Sequence, residues 1–301
     1  LPPSYYALEV EKVEDCAIAI VIPTVDRQEK LNNLLHDIQS QTLKPSQIIV
    51  IDSSAIPFKK EYTNLNLNVI AGSKRSAARQ RNQGLESLVN SGVAVDFVAF
   101  VDDDVSLPSD YLRSLIEHLI ALNAAGVSGI AIGSGEKFIP NTVLFRKLGL
   151  SGPPGKLTTA AINVPVREVD KISPADWLIG CSIWRFDVIK DLRFQNDFMG
   201  ASIFEDVLFS VEASRRGLLF VVPSVKIEHH LESEGRPNSE SFFEQWTRNR
   251  YRLKFIAPDK FDSRKYWLVN LCFLLKKLVI DRNFRSARGI IRGSKEVLLN
   301  R

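Results

Sequence analysis

Cysteine is scarce in this sequence: Cys16, Cys181 and Cys272 are the three in a chain of 301 residues. They are odd in number and far apart. They form neither a disulfide framework nor the close pairs of a zinc site, so a reducing compartment is expected. Long apolar runs are missing as well. The most hydrophobic late stretch, "YWLVNLCFLLKKLVI", is broken by Lys276 and Lys277 and is short for a bilayer-spanning helix. No signal-peptide pattern precedes the first strand. Internal repeats and groove-reading nucleic-acid motifs are absent, and a formal charge of +4 does not by itself imply nucleic acid, so none is expected as a partner.

What is present is an ordinary globular composition, 45% hydrophobic and 25% charged, at a length that suits one large domain or a domain with an appendage. From Ala17, "AIAIVIP" reads as a buried strand ended by Pro23. "RQEKLNNLLHDIQSQ" follows with Leu31, Leu34, Leu35 and Ile38 at helical spacing. "SQIIVIDSS" is a second strand and "SAARQRNQGLESLVNSG" a second helix, capped by Ser76 and closed near Gly92. "VDFVAFVDDD" is the third strand, and "PSDYLRSLIEHLIALN" a helix with Pro108 near its first turn. This alternation predicts an α/β fold with a mostly parallel, Rossmann-like sheet covered by helices on both faces.

The later chain is less regular. "VSGIAIGSGEKF" looks like a further strand, and residues 149–165 read as a long mobile loop. "ADWLIGCSIWRFDVIKDLRF" gives a short strand, a turn and a helix. "FEDVLFSVEASRRG" is a helix, and "LLFVVPSVKIEHH" a strand ending in two histidines. From Pro258 a Leu-bearing, basic, amphipathic helical segment is expected; eight basic residues from Lys276 onward face only Asp281 and Glu296.

The chemistry concentrates in "FVAFVDDDVSLPSDYL". A buried strand runs straight into Asp102, Asp103 and Asp104, three like charges that need cationic relief. Ligands in such sheets sit at the carboxyl ends of strands, and Asp26, Asp52 and the acidic run all fall at that edge. A lone aspartate there is as well explained by a helix cap or a turn, but one cap does not need three. Glu205 and Asp206 open a helix, where its dipole favours anions. His229 and His230 end a strand, on opposite faces.

In order, "IVIPTVDR", "IIVIDSS", "SAARQRNQGLE", "VDDDVSLPSDYL", "WLIGCSIWRFDVI", "FEDVLFSVEASRRG", "VKIEHH" and "RNRYRLKF" resemble the inverting glycosyltransferases of family 2 with a GT-A fold. The resemblance covers roughly residues 17–255 and implies a GT-A catalytic domain over 1–255. Its nucleotide-binding half would be about 17–130 and its acceptor-binding half about 131–255, with 256–301 a helical extension. It implies a hexosyltransferase-type reaction on a nucleoside-diphosphate sugar, with UDP- or dTDP-sugars favoured. The acceptor would be a glycan or lipid-linked hydroxyl, in cell-surface polysaccharide biosynthesis. A divalent metal, manganese or magnesium, would be held by Asp104 or Asp102, with His229 preferred over His230 as a further ligand. Pro23, Thr24, Asp26 and Asp52, with Asp102 and Asp103, match positions that cradle the nucleotide-sugar. Arg75, Arg79 and Arg81 lie where relatives approach it, and an extra arginine leaves open which one acts. Asp206 matches the catalytic base, with Glu205 as its positioning neighbour; both acids would also be explained by the helix dipole alone.

Trp177 and Trp184 flank Gly180, and Trp177 is the candidate acceptor contact, though a tryptophan near a strand also suits a core. Two alternatives were weighed. A sugar-nucleotide pyrophosphorylase needs a glycine-rich loop after the first strand, and "IPTVDRQEK" has no glycine. A non-catalytic nucleotide-sugar or glycan-binding module would dispense with the acids. The expected location is cytoplasmic, at the inner face of the plasma membrane. The basic tail suits peripheral contact with an anionic membrane, or equally a helix packed on the catalytic domain.

Overall fold

The computed structural model describes residues 12–59, 64–132, 142–166, 171–198, 202–230 and 238–299. In chain order the first half runs β1 (Ile18–Thr24), α1 (Gln28–Gln39), β2 (Gln47–Asp52), β3 (Leu67–Ala71), α2 (Ala77–Ser91), β4 (Phe97–Phe100), β5 (Val105–Ser106), α3 (Tyr111–Ala121) and β6 (Gly126–Ile132). Then follow α4 (Val143–Leu148), β7 (Ser173–Ala175), β8 (Ser182–Arg185), α5 (Phe186–Ile189), α6 (Glu205–Ala213) and β9 (Leu219–His229). The chain closes with α7 (Ser239–Tyr251), α8 (Leu253–Ile256), α9 (Ser263–Leu275) and α10 (Phe284–Leu299).

Period-two alternation along β1 builds two cores at once. Ile18, Ile20 and Ile22 pack with Leu31, Leu34 and Leu35 of α1 and Leu112, Leu115 and Ile116 of α3. Ala19 and Val21 face the other way, onto Ala78, Leu85 and Leu88 of α2. A strand buried on both faces has no polar side to show, which is why these segments read as continuous apolar runs. The sheet order is β3-β2-β1-β4-β8-β6-β9-β5, with β7 also on β9. β8 runs antiparallel to β4 and β6, and β5 and β7 antiparallel to β9; the remaining pairs are parallel. The expected mostly parallel sheet with helices on both faces is the one observed.

Two details differ from the sequence reading, and one expectation falls partly outside the described residues. The third strand stops at Phe100, and Val105–Ser106 starts a separate strand on β9, so Asp102 to Asp104 occupy a turn between two pairings. The strand expected over 127–138 is seen to Ile132; its remainder lies outside the described residues. The stretch 149–165 is packed rather than loose. Ala160 and Ala161 are fully buried, and their carbonyls accept hydrogen bonds from the buried guanidinium of Arg250 at 2.9 and 3.1 Å.

Arg250 also donates to Asn270 of α9 and stacks on Trp246 at 3.8 Å, which ties α7, α9 and that loop together. No carboxylate among the described residues neutralises it; burial pulls its pKa down to about 10. The C-terminal helices are therefore docked on the domain. α10 lies tight against α7, where a Cβ at Gly289 or Gly293 would stand 2.2 or 2.5 Å from the carbonyls of Glu240 and Glu244. Only glycine allows that approach.

Candidate active site

One cleft of about 1210 Å³ opens at the carboxyl ends of β1 and β4. Pro23, Thr24, Asp26, Arg75 and Arg81 line it together with the three aspartates, Trp177, Glu205, Asp206 and His229. Chain segments more than a hundred residues apart meet here because parallel neighbours end at the same edge.

Two arginines organise the acids. Arg27, the cap residue of α1, donates through Nη1 to Asp103 at 2.8 Å and to Asp104 at 3.1 Å. Arg81, buried within α2, bridges Asp102 and Glu205. The cationic relief demanded by three adjacent carboxylates is thus partly built into the chain. Asp103 is buried and also accepts from the Thr24 hydroxyl at 2.7 Å. Burial raises its carboxyl, and Thr24 and Arg27 offset that only in part. Burial pushes Asp104 the same way, but the His229 hydrogen bond and the charges of His229 and Arg27 outweigh it and hold its carboxyl below the usual range.

The β5–β9 register places Val105 opposite His229, which sets the His229 ring beside Asp104, Nε2 to Oδ1 3.1 Å. His230 points to Ser106 instead, with Nε2 2.7 Å from its hydroxyl. Of the two, His229 is the one that lines the cleft. Asp104 and His229 form a two-donor face of carboxylate oxygen and imidazole nitrogen, a set that suits manganese, and magnesium through its oxygen. Asp102 stands apart, held by Arg81. Among the described residues no three His, Cys, Asp or Glu side chains gather closely enough to hold an ion by themselves. The residues therefore fit a metal that takes its remaining ligands from a bound diphosphate, as is usual for magnesium.

The second wall is the start of α6. Ser202 and Phe204 adopt φ of 52° and 78°, a left-handed backbone that non-glycine residues rarely accept. The Ser202 hydroxyl meets that of Ser76 and accepts from the Ala78 amide, which pins the α6 entrance to the α2 start. Asp206 is half-buried and takes its own helix's Val207 amide at 2.8 Å. Glu205 is buried. Burial raises its carboxyl, Arg81 opposes this, and the charges of Asp206 and Asp102 raise it further, with a net upward shift. Gly180 leaves room for the brace: a Cβ there would lie 2.9 Å from Asp102 Oδ2 and 3.0 Å from Arg81 Nη2.

Two expected donor contacts fall elsewhere. Arg79 and Arg81 are two residues apart on one helix, about 200° around its axis, so both cannot face the cleft. Arg79 turns outward to the Asn196 carbonyl. Asp52 is not among the lining residues; its carboxylate accepts from the Ser54 and Phe58 amides and shapes the loop after β2. Asp26 and Arg75 pair at 2.8 Å on the exposed rim. Trp177 is 95% buried against the cleft, and its Nε1–H has no acceptor among the described residues. Trp184 is core, edge-on to Phe209.

Sequence reasoning missed Arg27: "PTVDR" sets a cation at the start of α1, but its carboxylate partners lie 76 and 77 positions on. It also missed Phe242, Phe243 and Trp246, which line the cleft from α7 and recur at helical spacing.

The fold is that of the GT-A glycosyltransferases. It resembles S. aureus TarS at a TM-score of 0.53 and 16% identity, covering 87% of this chain and 44% of that one. It also resembles the mannosyltransferase PcManGT of Pyrobaculum calidifontis, solved with GDP-Man and Mn2+, at a TM-score of 0.54 and 12% identity over 94% of this chain and 87% of that one. Residues 19–163 match the model for glycosyl transferase family 2. Among curated relatives, the O-antigen chain rhamnosyltransferase WbaN of Salmonella anatum is 31% identical over 38% of this chain and 36% of its own length. The amylovoran biosynthesis glycosyltransferase AmsB of Erwinia amylovora is 23% identical over 56% of this chain and 52% of its own. The matched part thus spans about a third to a half of these two relatives. Among the described residues no helix is long and apolar enough to cross a membrane.

Proposed function

We propose that this chain is an inverting, metal-dependent glycosyltransferase of the cytoplasm. It moves a sugar from a UDP- or dTDP-sugar to a hydroxyl of a glycan or lipid-linked acceptor in cell-surface polysaccharide biosynthesis. The observation that carries this reading is one cleft that joins the aspartate turn, His229 and the Glu205–Asp206 pair. The names of the O-antigen and amylovoran relatives support the polysaccharide setting, and TarS solved with UDP-GlcNAc supports a nucleotide-sugar donor.

Asp104 and His229 would hold the divalent ion, which when bound supplies charge neutralisation to the departing diphosphate. Thr24, Asp26 and Arg75, which line the same cleft, would contact the nucleotide part of the donor. Asp206 takes the proton of the acceptor hydroxyl as that oxygen bonds to the anomeric carbon. The bond from that carbon to the diphosphate oxygen breaks on the opposite face, which inverts the configuration. Arg81 and Glu205 fix the start of α6 and so aim Asp206. Trp177 offers its free N–H to an acceptor oxygen.

A thermal-shift panel of nucleoside diphosphates, with manganese and with EDTA, tests the reading. UDP or dTDP should raise the melting temperature in manganese and lose most of that effect in EDTA. No shift from any nucleoside diphosphate in either condition would contradict it.

A further inference from the structure

The hairpin of α9 and α10 leaves one apolar surface uncovered. At its tip the chain passes through a π-helical turn over Lys276–Ile280 and reverses into α10. Leu275, Leu278, Val279, Ile280 and Phe284 all stand in solvent there, Val279 and Ile280 at 70% and 74% exposure. Isolated exposed hydrophobes are normal, but five large ones within ten residues form a contiguous patch. The helices that carry the patch bury Tyr266, Val269, Ala287 and Ile290 on their inner faces and expose further hydrophobes at Leu268, Leu271, Ile291, Leu298 and Leu299. The tip is where exposed apolar side chains follow one another most closely.

The charge around the patch is mostly positive. Between 276 and 285 the sequence sets Lys276, Lys277, Arg282 and Arg285 against Asp281. Both lysines close on Asp281 at 2.7 Å. Arg282 and Arg285 are exposed and make no ion pair among the described residues. The patch also adjoins the cleft. Lys277 lies 5.0 Å over the Phe243 ring, and Phe273 packs 5.1 Å from Trp246; Phe243 and Trp246 line the cleft wall.

We propose that the tip of the α9–α10 hairpin is a docking surface for a bilayer containing anionic phospholipid. Leu278, Val279, Ile280 and Phe284 enter the interfacial region, while Arg282 and Arg285 meet headgroup phosphates. A second copy of the chain fits the surface poorly, because two such tips would bring like charges together. The docking does not depend on sugar transfer and is read without it.

Vesicle flotation of the full chain is the test, using phosphatidylcholine alone and phosphatidylcholine with phosphatidylglycerol. The chain should float with the anionic vesicles, less so as salt rises, and scarcely with the neutral ones. Ile280→Asp with Phe284→Asp should weaken that binding about tenfold or more. Arg282→Glu with Arg285→Glu should weaken it and flatten its salt dependence. All four side chains are exposed, so melting temperatures should match wild type, and Ile280→Ser with Phe284→Ser serves if the aspartates disturb folding. Wild type that ignores anionic vesicles, or variants that float as well as wild type, overturns the proposal. So does a wild-type dimer that the variants abolish in sedimentation velocity without any vesicle binding.

Discussion

Arg27 Nη1 lies 3.1 Å from Asp104 Oδ2, on the same carboxylate whose other oxygen faces His229 at 3.1 Å. A guanidinium thus occupies one side of the group that would ligate a divalent ion. The arrangement keeps the acidic turn neutralised before any nucleotide arrives, and it makes the guanidinium a competitor for Asp104. An ion that also gains diphosphate oxygens has the better claim on that carboxylate.

The competition predicts that Arg27→Gln binds manganese more tightly than wild type when no nucleotide is present. Electron paramagnetic resonance of free manganese during titration reads this directly. Weaker or unchanged binding in the variant would mean that Arg27 orders Asp104 for the metal rather than contesting it. Circular dichroism checks that the variant is folded.

Trp177 supplies the second prediction. Trp177→Phe keeps a buried aromatic ring but deletes the only polar atom of the side chain, which has no partner among the described residues. The smaller ring leaves a cavity, so stability should fall by about 1–3 kcal/mol. Donor affinity should hold, and the acceptor KM should rise severalfold. An unchanged acceptor KM would return Trp177 to the core.

A third prediction concerns the α7–α10 contact. Burial, then the hydrogen bond and charge of Glu296, raise the Glu244 carboxyl above its usual range against Arg292 and Arg248. A carboxyl raised on folding contributes stability below its unfolded value, and that contribution is lost as pH rises through the folded one. Glu244→Gln removes the like-charge pair, so its melting temperature should fall less than that of wild type as pH rises from the acid range to neutrality. Parallel curves for the two proteins would contradict a raised Glu244 carboxyl.

Much of the nucleotide-binding half is legible in the sequence because its signals are local. Strands buried on both faces announce themselves as β-branched runs, and Ser76 and Gly92 mark the ends of α2 as read, with Ser76 accepting from the Arg79 amide. The strand-end aspartates follow from sheet topology alone. The rest depends on partners distant in the chain. Arg27 reaches carboxylates 76 and 77 positions away, and nothing in "PTVDR" states that pairing. Arg81 reads as a phosphate contact, yet it bridges Asp102 and Glu205, because burial inside α2 turns it to carboxylates. The stretch 149–165 has no period, and the carbonyls of Ala160 and Ala161 within it are taken by Arg250, 90 and 89 residues on, rather than by a regular element.

The central claim is that Asp206 is the base. It stands in the first turn of α6, where the helix dipole favours its ionised form, on an entrance strained at Phe204 and braced through Glu205 and Arg81. The direct measurement is sugar transfer by Asp206→Asn beside its affinity for the metal–nucleotide complex. The account predicts turnover lower by about two to four orders of magnitude with donor binding nearly intact. Wild-type turnover in Asp206→Asn would contradict it.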